Sequence, residues 1–194
     1  MEKAEKKEAA PKGRDALVKN LYEAVGVLSS AIVIVMVCFT FVFRLVGVLQ
    51  RSMQPTLYEG QSLIVGAMIR NPKYGDIVIV TDPTHANPLV KRVIAVGGQE
   101  IDIDFEEGEV YVDGKKLDEP YIAEKTQRQF DVEFPLTVPE GSIFVMGDNR
   151  NDSLDSRSAD IGCVRIQCLL GKVYFRLAPG AWNVYEKTGS IQNG

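Results

Sequence analysis

Between Ala24 and Phe43 the chain carries no charged side chain and is rich in Val, Ile, Leu and Phe. Twenty residues at helical rise span ~30 Å, the thickness of a bilayer core. A buried core helix would show a polar stripe, and this segment is apolar all round. A cleavable leader would have a shorter apolar run followed by small residues. Here the run meets Arg44 and then LVGVLQRSM, so the segment is expected to stay as an anchor over residues 24–46. Lys3, Lys6, Lys7, Lys12, Arg14 and Lys19 precede it, and only Arg44 and Arg51 stand just after it. Basic flanks remain in the cytoplasm, which makes residues 1–23 a cytoplasmic tail and residues 47–194 an extracytoplasmic domain of a single-pass protein in the cell membrane.

Past Gly47 the pattern changes to short apolar runs divided by Gly, Pro, Asn and Asp. Ser62–Val65, Asp76–Val80, Leu89–Val96, Glu100–Ile103, Glu109–Val112, Gly141–Met146 and Lys172–Leu177 read as strands. Gly75-Asp76 and Asp113-Gly114 mark turns. Glu119–Pro139 reads as polar and loop-like in its first half and as apolar and proline-punctuated in its second, and no helical period is sustained past residue 50. The fold class is therefore mainly β, an N-terminal transmembrane helix followed by a compact, barrel-like antiparallel domain. Cys38, Cys163 and Cys168 make an odd set with no disulfide framework and read as packing residues. The net charge of −4 gives no reason to expect nucleic acid.

The chemistry is narrowed by what is missing. His85, in TDPTHANP, is the single histidine, and a Ser-His-Asp triad would have to use it. A multi-histidine or CxxC zinc site is excluded, and no phosphate-binding glycine loop is present. No metal or cofactor is expected. A serine nucleophile then needs another base, and lysine serves if burial lowers its pKa. PLVKRVIAV, Pro88–Val96, is an apolar strand interrupted by Lys91 and Arg92. Of the two only lysine can lose its proton. The alternative is an edge strand whose two solvated charges guard against aggregation. Ser52 stands in RSMQPTL, a non-repetitive segment between anchor and domain, where loop serines are common. GDNRNDSLDSR, Gly147–Arg157, packs Asp, Asn, Arg and Ser between apolar strands. It suggests a buried polar network braced by Arg–Asp pairs, or else a cation site.

Together these segments resemble the bacterial type I signal peptidases. The family's blocks match Ser52-Met53-Gln54-Pro55-Thr56-Leu57, Gly75–Val78, Lys91–Ile94 and Gly147–Arg157, in order, after an N-terminal anchor. Val110–Ile122 also looks like that family's hairpin. The resemblance implies a serine endopeptidase that removes signal peptides from exported preproteins at the membrane lipid surface. It implies Ser52 as nucleophile and Lys91 as general base, with Ser153 orienting the lysine. Asp155 and Arg157 would brace the site as an ion pair, and Met53 would shape the pocket wall. Some members carry a serine two positions before the nucleophile as an oxyanion donor; here Gln50 stands there, with an amide that can donate. Ala95-Val96-Gly97-Gly98-Gln99 departs from the family's usual turn. The short spacing before Gly147 implies the compact form without a large inserted domain.

Overall fold

The computed structural model describes residues 13–67, 71–81 and 87–177. It divides into residues 1–41 and residues 42–194. In the first unit, helix α1 (Gly13–Phe41) includes a stretch, Asp15–Phe41, long and apolar enough to cross a membrane. Its Leu, Val and Ile side chains are exposed rather than packed on protein. Residues 13–23, expected in the tail, continue this helix. His85 and residues 1–12 lie outside the described residues.

The described strands of the second unit all pair antiparallel. Its strands are β1 (Phe43–Gly47), β2 (Ser62–Gly66), β3 (Ile77–Val80), β4 (Leu89–Val96), β5 (Glu100–Asp104), β6 (Glu109–Val112), β7 (Lys115–Lys116), β8 (Leu136–Thr137), β9 (Ser142–Met146), β10 (Val164–Arg165) and β11 (Leu169–Leu177). Seven form a curled half-barrel in the order β1-β2-β11-β3-β4-β9-β10, and four form a second sheet in the order β7-β6-β5-β8. The expected strands are present, two with the expected bounds and five with one end shifted by one to three residues. β1 differs more. Residues 43–46, which the 24–46 boundary puts in the anchor, pair with β2 from Phe43↔Gly66 to Gly47↔Ser62. Their apolar composition continues that of the helix, so hydropathy alone does not mark the change.

Alternation explains the core. β5 turns Ile101 and Ile103 inward while Glu100, Asp102 and Asp104 stay exposed, the period-two pattern of a sheet with one wet face. These isoleucines pack with Val110, Val112, Ile94 and Phe144, joining the small sheet to β4 and β9. A second cluster gathers Met53, Leu57, Leu63, Ile77, Ile79 and Val173 beneath the Ser52 segment. The β6–β7 turn has Asp113 at φ 53° and Gly114 at φ 72°, the left-handed pair that matches strand twist in a two-residue hairpin. Cys163 and Cys168 are free and pack half-buried against two different core clusters.

β4 lies between β3 and β9, with Lys91 opposite Val78, and Arg92 opposite Ile77 on one side and Met146 on the other. Both cations are 1% exposed. An edge strand bearing solvated charges is thereby excluded.

Candidate active site

Ser52 opens a run of turns after β1. The Gln54 N–H bonds to the Arg51 carbonyl and the Leu57 N–H to the Met53 carbonyl. Met53 and Leu57 are buried, which pins both ends of this turn to the core and fixes Ser52 immediately before it. Ser52 is 7% exposed, so its hydroxyl sits at the floor of a cleft rather than on a mobile loop. The Lys91 Nζ, reaching from the middle of β4, is 2.7 Å from the Ser52 Oγ.

Burial holds the Lys91 ammonium down, from its ordinary value to about 8. The Asp155 charge works in the opposite direction, Arg157 reinforces the fall, and Asp148 opposes it. No carboxylate of the described residues forms a salt bridge with Lys91. At pH values above about 8 the amine is mostly neutral and can accept a proton from the hydroxyl it touches.

The Gly147–Arg157 loop surrounds this pair. The Asn149 N–H donates to the Ser52 carbonyl at 3.0 Å. A Cβ on Gly147 would fall 2.3 Å from the Ser153 Oγ and 2.4 Å from the Ser52 carbonyl oxygen, so only glycine allows the loop this close. Arg157 grips Asp155 with two bonds, Nε–Oδ1 at 2.8 Å and Nη2–Oδ2 at 3.0 Å, and both residues are fully buried. Burial alone would raise the Asp155 carboxyl; the Arg157 bonds and charge and the Gly147 N–H outweigh it and hold it low. Arg157 also donates to the carbonyls of Arg150 and Arg128. Thus the loop is braced by ion pairs. No group of three His, Cys, Asp or Glu among the described residues could hold a metal.

Two sequence expectations take a different form. Ser153 is 2% exposed and stands against Gly147, and among the described residues its Oγ makes no hydrogen bond to Lys91. Gln50 is exposed on the rim of the cleft, and its amide makes no bond among the described residues. The Ser52 N–H is likewise unbonded there.

The sequence named Arg92 only as a charge on its strand and did not pair it with Asp148. The Arg92 Nε and Nη2 clasp the two Asp148 oxygens at 2.8 and 2.7 Å, and Nη1 donates to the Gly75 carbonyl. The guanidinium stacks 4.0 Å from the centre of the Tyr121 ring. The Thr56 hydroxyl donates to the same Asp148, tying the far end of the Ser52 turn to this pair. Arg150 pairs with Glu119 and donates to Thr126, which fastens the 119–126 segment beneath the loop. The available signal was the density of Asp and Arg in buried company, which predicts pairs but not partners.

Two cavities meet at Ser52. One, of about 320 Å³, is lined by Val46, Val48, Met53 and Val90 together with Leu49, Gln50 and Ser52. The other, of about 400 Å³, shares Leu49, Gln50 and Ser52 but is otherwise lined by Arg51, Glu59, Leu89, Asp152 and Leu154.

A buried amine thus touches a hydroxyl where the two cavities join. Residues 21–178 match the family described as signal peptidase, peptidase S26. The chain belongs to this family. The signal peptidase I of Bacillus licheniformis is 34% identical over 179 residues, covering 87% of this chain and 94% of that protein. That of Bacillus caldolyticus is 38% identical over 166 residues, covering 77% and 87%. A crystal structure of a signal peptidase I from Enterococcus faecalis is 31% identical with a TM-score of 0.46, covering 54% of this chain and 98% of that chain. Within the S26 family the chain is a hydrolase of the serine peptidase type, and its N-terminal apolar helix is consistent with an anchor.

Proposed function

We propose that this chain is a membrane-anchored signal peptidase in which Ser52 attacks the scissile carbonyl and Lys91 is the general base. The observation that carries the reading is the 2.7 Å contact between Lys91 Nζ and Ser52 Oγ, made by an amine that burial holds near pKa 8. Neutral Lys91 takes the hydroxyl proton as the Ser52 oxygen bonds to the carbonyl carbon. The resulting ammonium returns the proton to the leaving amine, and an acyl-enzyme remains. Water, deprotonated by the same amine, then releases the acyl chain and restores the Ser52 hydroxyl. The unbonded Ser52 N–H is one donor for the oxyanion, and the Gln50 amide on the cleft rim is the second. Asp155 and Arg157 hold the loop that bears on Ser52, and buried Ser153 supplies a hydroxyl for the lysinium form.

Exported preproteins are the substrates. The apolar cavity with Met53 in its wall takes small side chains before the cut. α1 is the single membrane span, with the N-terminus cytoplasmic by the excess of lysine before it and the β domain extracytoplasmic. Lipid then holds enzyme and substrate at one surface, raising their effective concentration. Incubating the detergent-solubilised protein with a preprotein and sequencing the new N-terminus tests the assignment. A single new N-terminus after the signal segment, lost in Ser52→Ala, is expected. Equal cleavage by Ser52→Ala refutes it.

A further inference from the structure

The two cavities joined at Ser52 differ in chemistry, and this difference has a consequence for what lies beyond the cut. An extended peptide whose carbonyl rests at the Ser52 hydroxyl runs away from it in two directions, advancing ~3.3 Å per residue. Ser52 lines both cavities, so both are within reach of such a chain. The first cavity is walled by Val46, Val48, Met53 and Val90 and suits the uncharged end of a signal segment. The second therefore receives the other half of the chain.

That second cavity is lined by apolar Leu49, Leu89 and Leu154, of which Leu89 is buried, and by the exposed charges Glu59, Asp152 and Arg51, two carboxylates against one guanidinium. The Gly147–Arg157 loop holds three aspartates. Asp148 and Asp155 are buried and consumed by Arg92 and Arg157. Asp152, on the short helical turn Arg150–Asp152, is exposed and pairs with no basic side chain among the described residues. Glu59, at the other end of the Ser52 turn, is equally exposed and equally unpaired there. Two separate segments thus bring unneutralised carboxylates to the same side of the nucleophile.

We propose that this second cavity binds the residues immediately after the scissile bond and that Glu59 and Asp152 make their charge a determinant of cleavage, with Lys or Arg favoured and Asp or Glu disfavoured. The proposal rests on the reading of Ser52 as nucleophile. Both carboxylates are solvated, so the effect is moderate and weakens as salt screens it.

The test uses the full chain in uncharged detergent and pairs of preprotein-derived substrates. Each pair differs only in Lys or Glu at the second residue after the cut. Competition between them gives the ratio of kcat/KM. A Lys preference of about three- to tenfold is expected at low salt, shrinking at high salt. The Glu59→Gln/Asp152→Asn variant is expected to abolish the ratio and Glu59→Lys to reverse it. A ratio of one in the wild type, or a preference that the double variant leaves intact, overturns the proposal. A wild type that cleaves neither substrate overturns instead the peptidase reading beneath it, so the two failures are distinct.

Discussion

Lys91 and Arg92 are neighbours on β4, share the same 1% exposure, and project to opposite faces of one strand. Arg92 meets a matched carboxylate, a backbone carbonyl and an aromatic ring. Lys91 meets a hydroxyl and, among the described residues, no direct counter-ion. The contrast follows from the side chains themselves. A guanidinium does not lose its proton in a protein, so burying it requires a partner such as Asp148. An ammonium can be discharged, so burying it without a partner lowers its pKa and produces a base. One face of β4 holds the fold together, and the other is available for chemistry.

The largest expected effect falls on the chemical face. Lys91→Ala and Ser52→Ala are each expected to reduce preprotein cleavage by ~10⁴-fold or more, with circular dichroism and thermal unfolding showing an intact fold. On the bracing face the expected loss is of stability. Asp148→Ala strands the Arg92 charge in the interior and is expected to cost ~3–5 kcal/mol in urea unfolding of the β domain. A cost near zero would show that the two faces do not differ as described.

Lys91→Met sharpens the comparison with the opposite sign. The folded value of about 8 lies below the ~10.4 of an unfolded lysine, so the unfolded chain binds more protons between those limits. The cost of the buried ammonium is therefore full below about pH 8 and gone above ~10.5. Replacing it by Met is expected to stabilise the domain by ~2–3 kcal/mol at pH 7, and the gain is expected to vanish as pH approaches 10.5. Denaturation at both pH values measures this. The smallest effect is expected for Thr56→Val, which removes one hydroxyl from Asp148 and is expected to cost ~1 kcal/mol.

Much of this was legible in the sequence where a local rule applies. The long apolar run of α1, the alternation of β5 and the Asp113-Gly114 turn each follow from one short segment. β1 was hidden because its FRLVG sequence continues the hydropathy of the helix before it; only pairing with β2 reveals a strand. At the site, elimination pointed only to a lysine base, and the resemblance of the four ordered blocks named Ser52 and Lys91 together, 39 positions apart in sequence yet in contact. The Arg92–Asp148 clasp was not reached, because its partners are 56 positions apart and either charge could have been solvated. Ser153 and Gln50 were placed by analogy, and the structure puts one in the interior with no bond to Lys91 and the other on the exposed rim.

The central claim is that Lys91 works as a neutral base because β4 buries it unpaired. The pH dependence of kcat/KM for a preprotein-derived peptide tests it most directly. Activity is expected to fall about tenfold per unit below a single ionisation near pH 8 and to level above it, as the ammonium loses its proton. A profile with no ionisation between about pH 6 and 10 would contradict it.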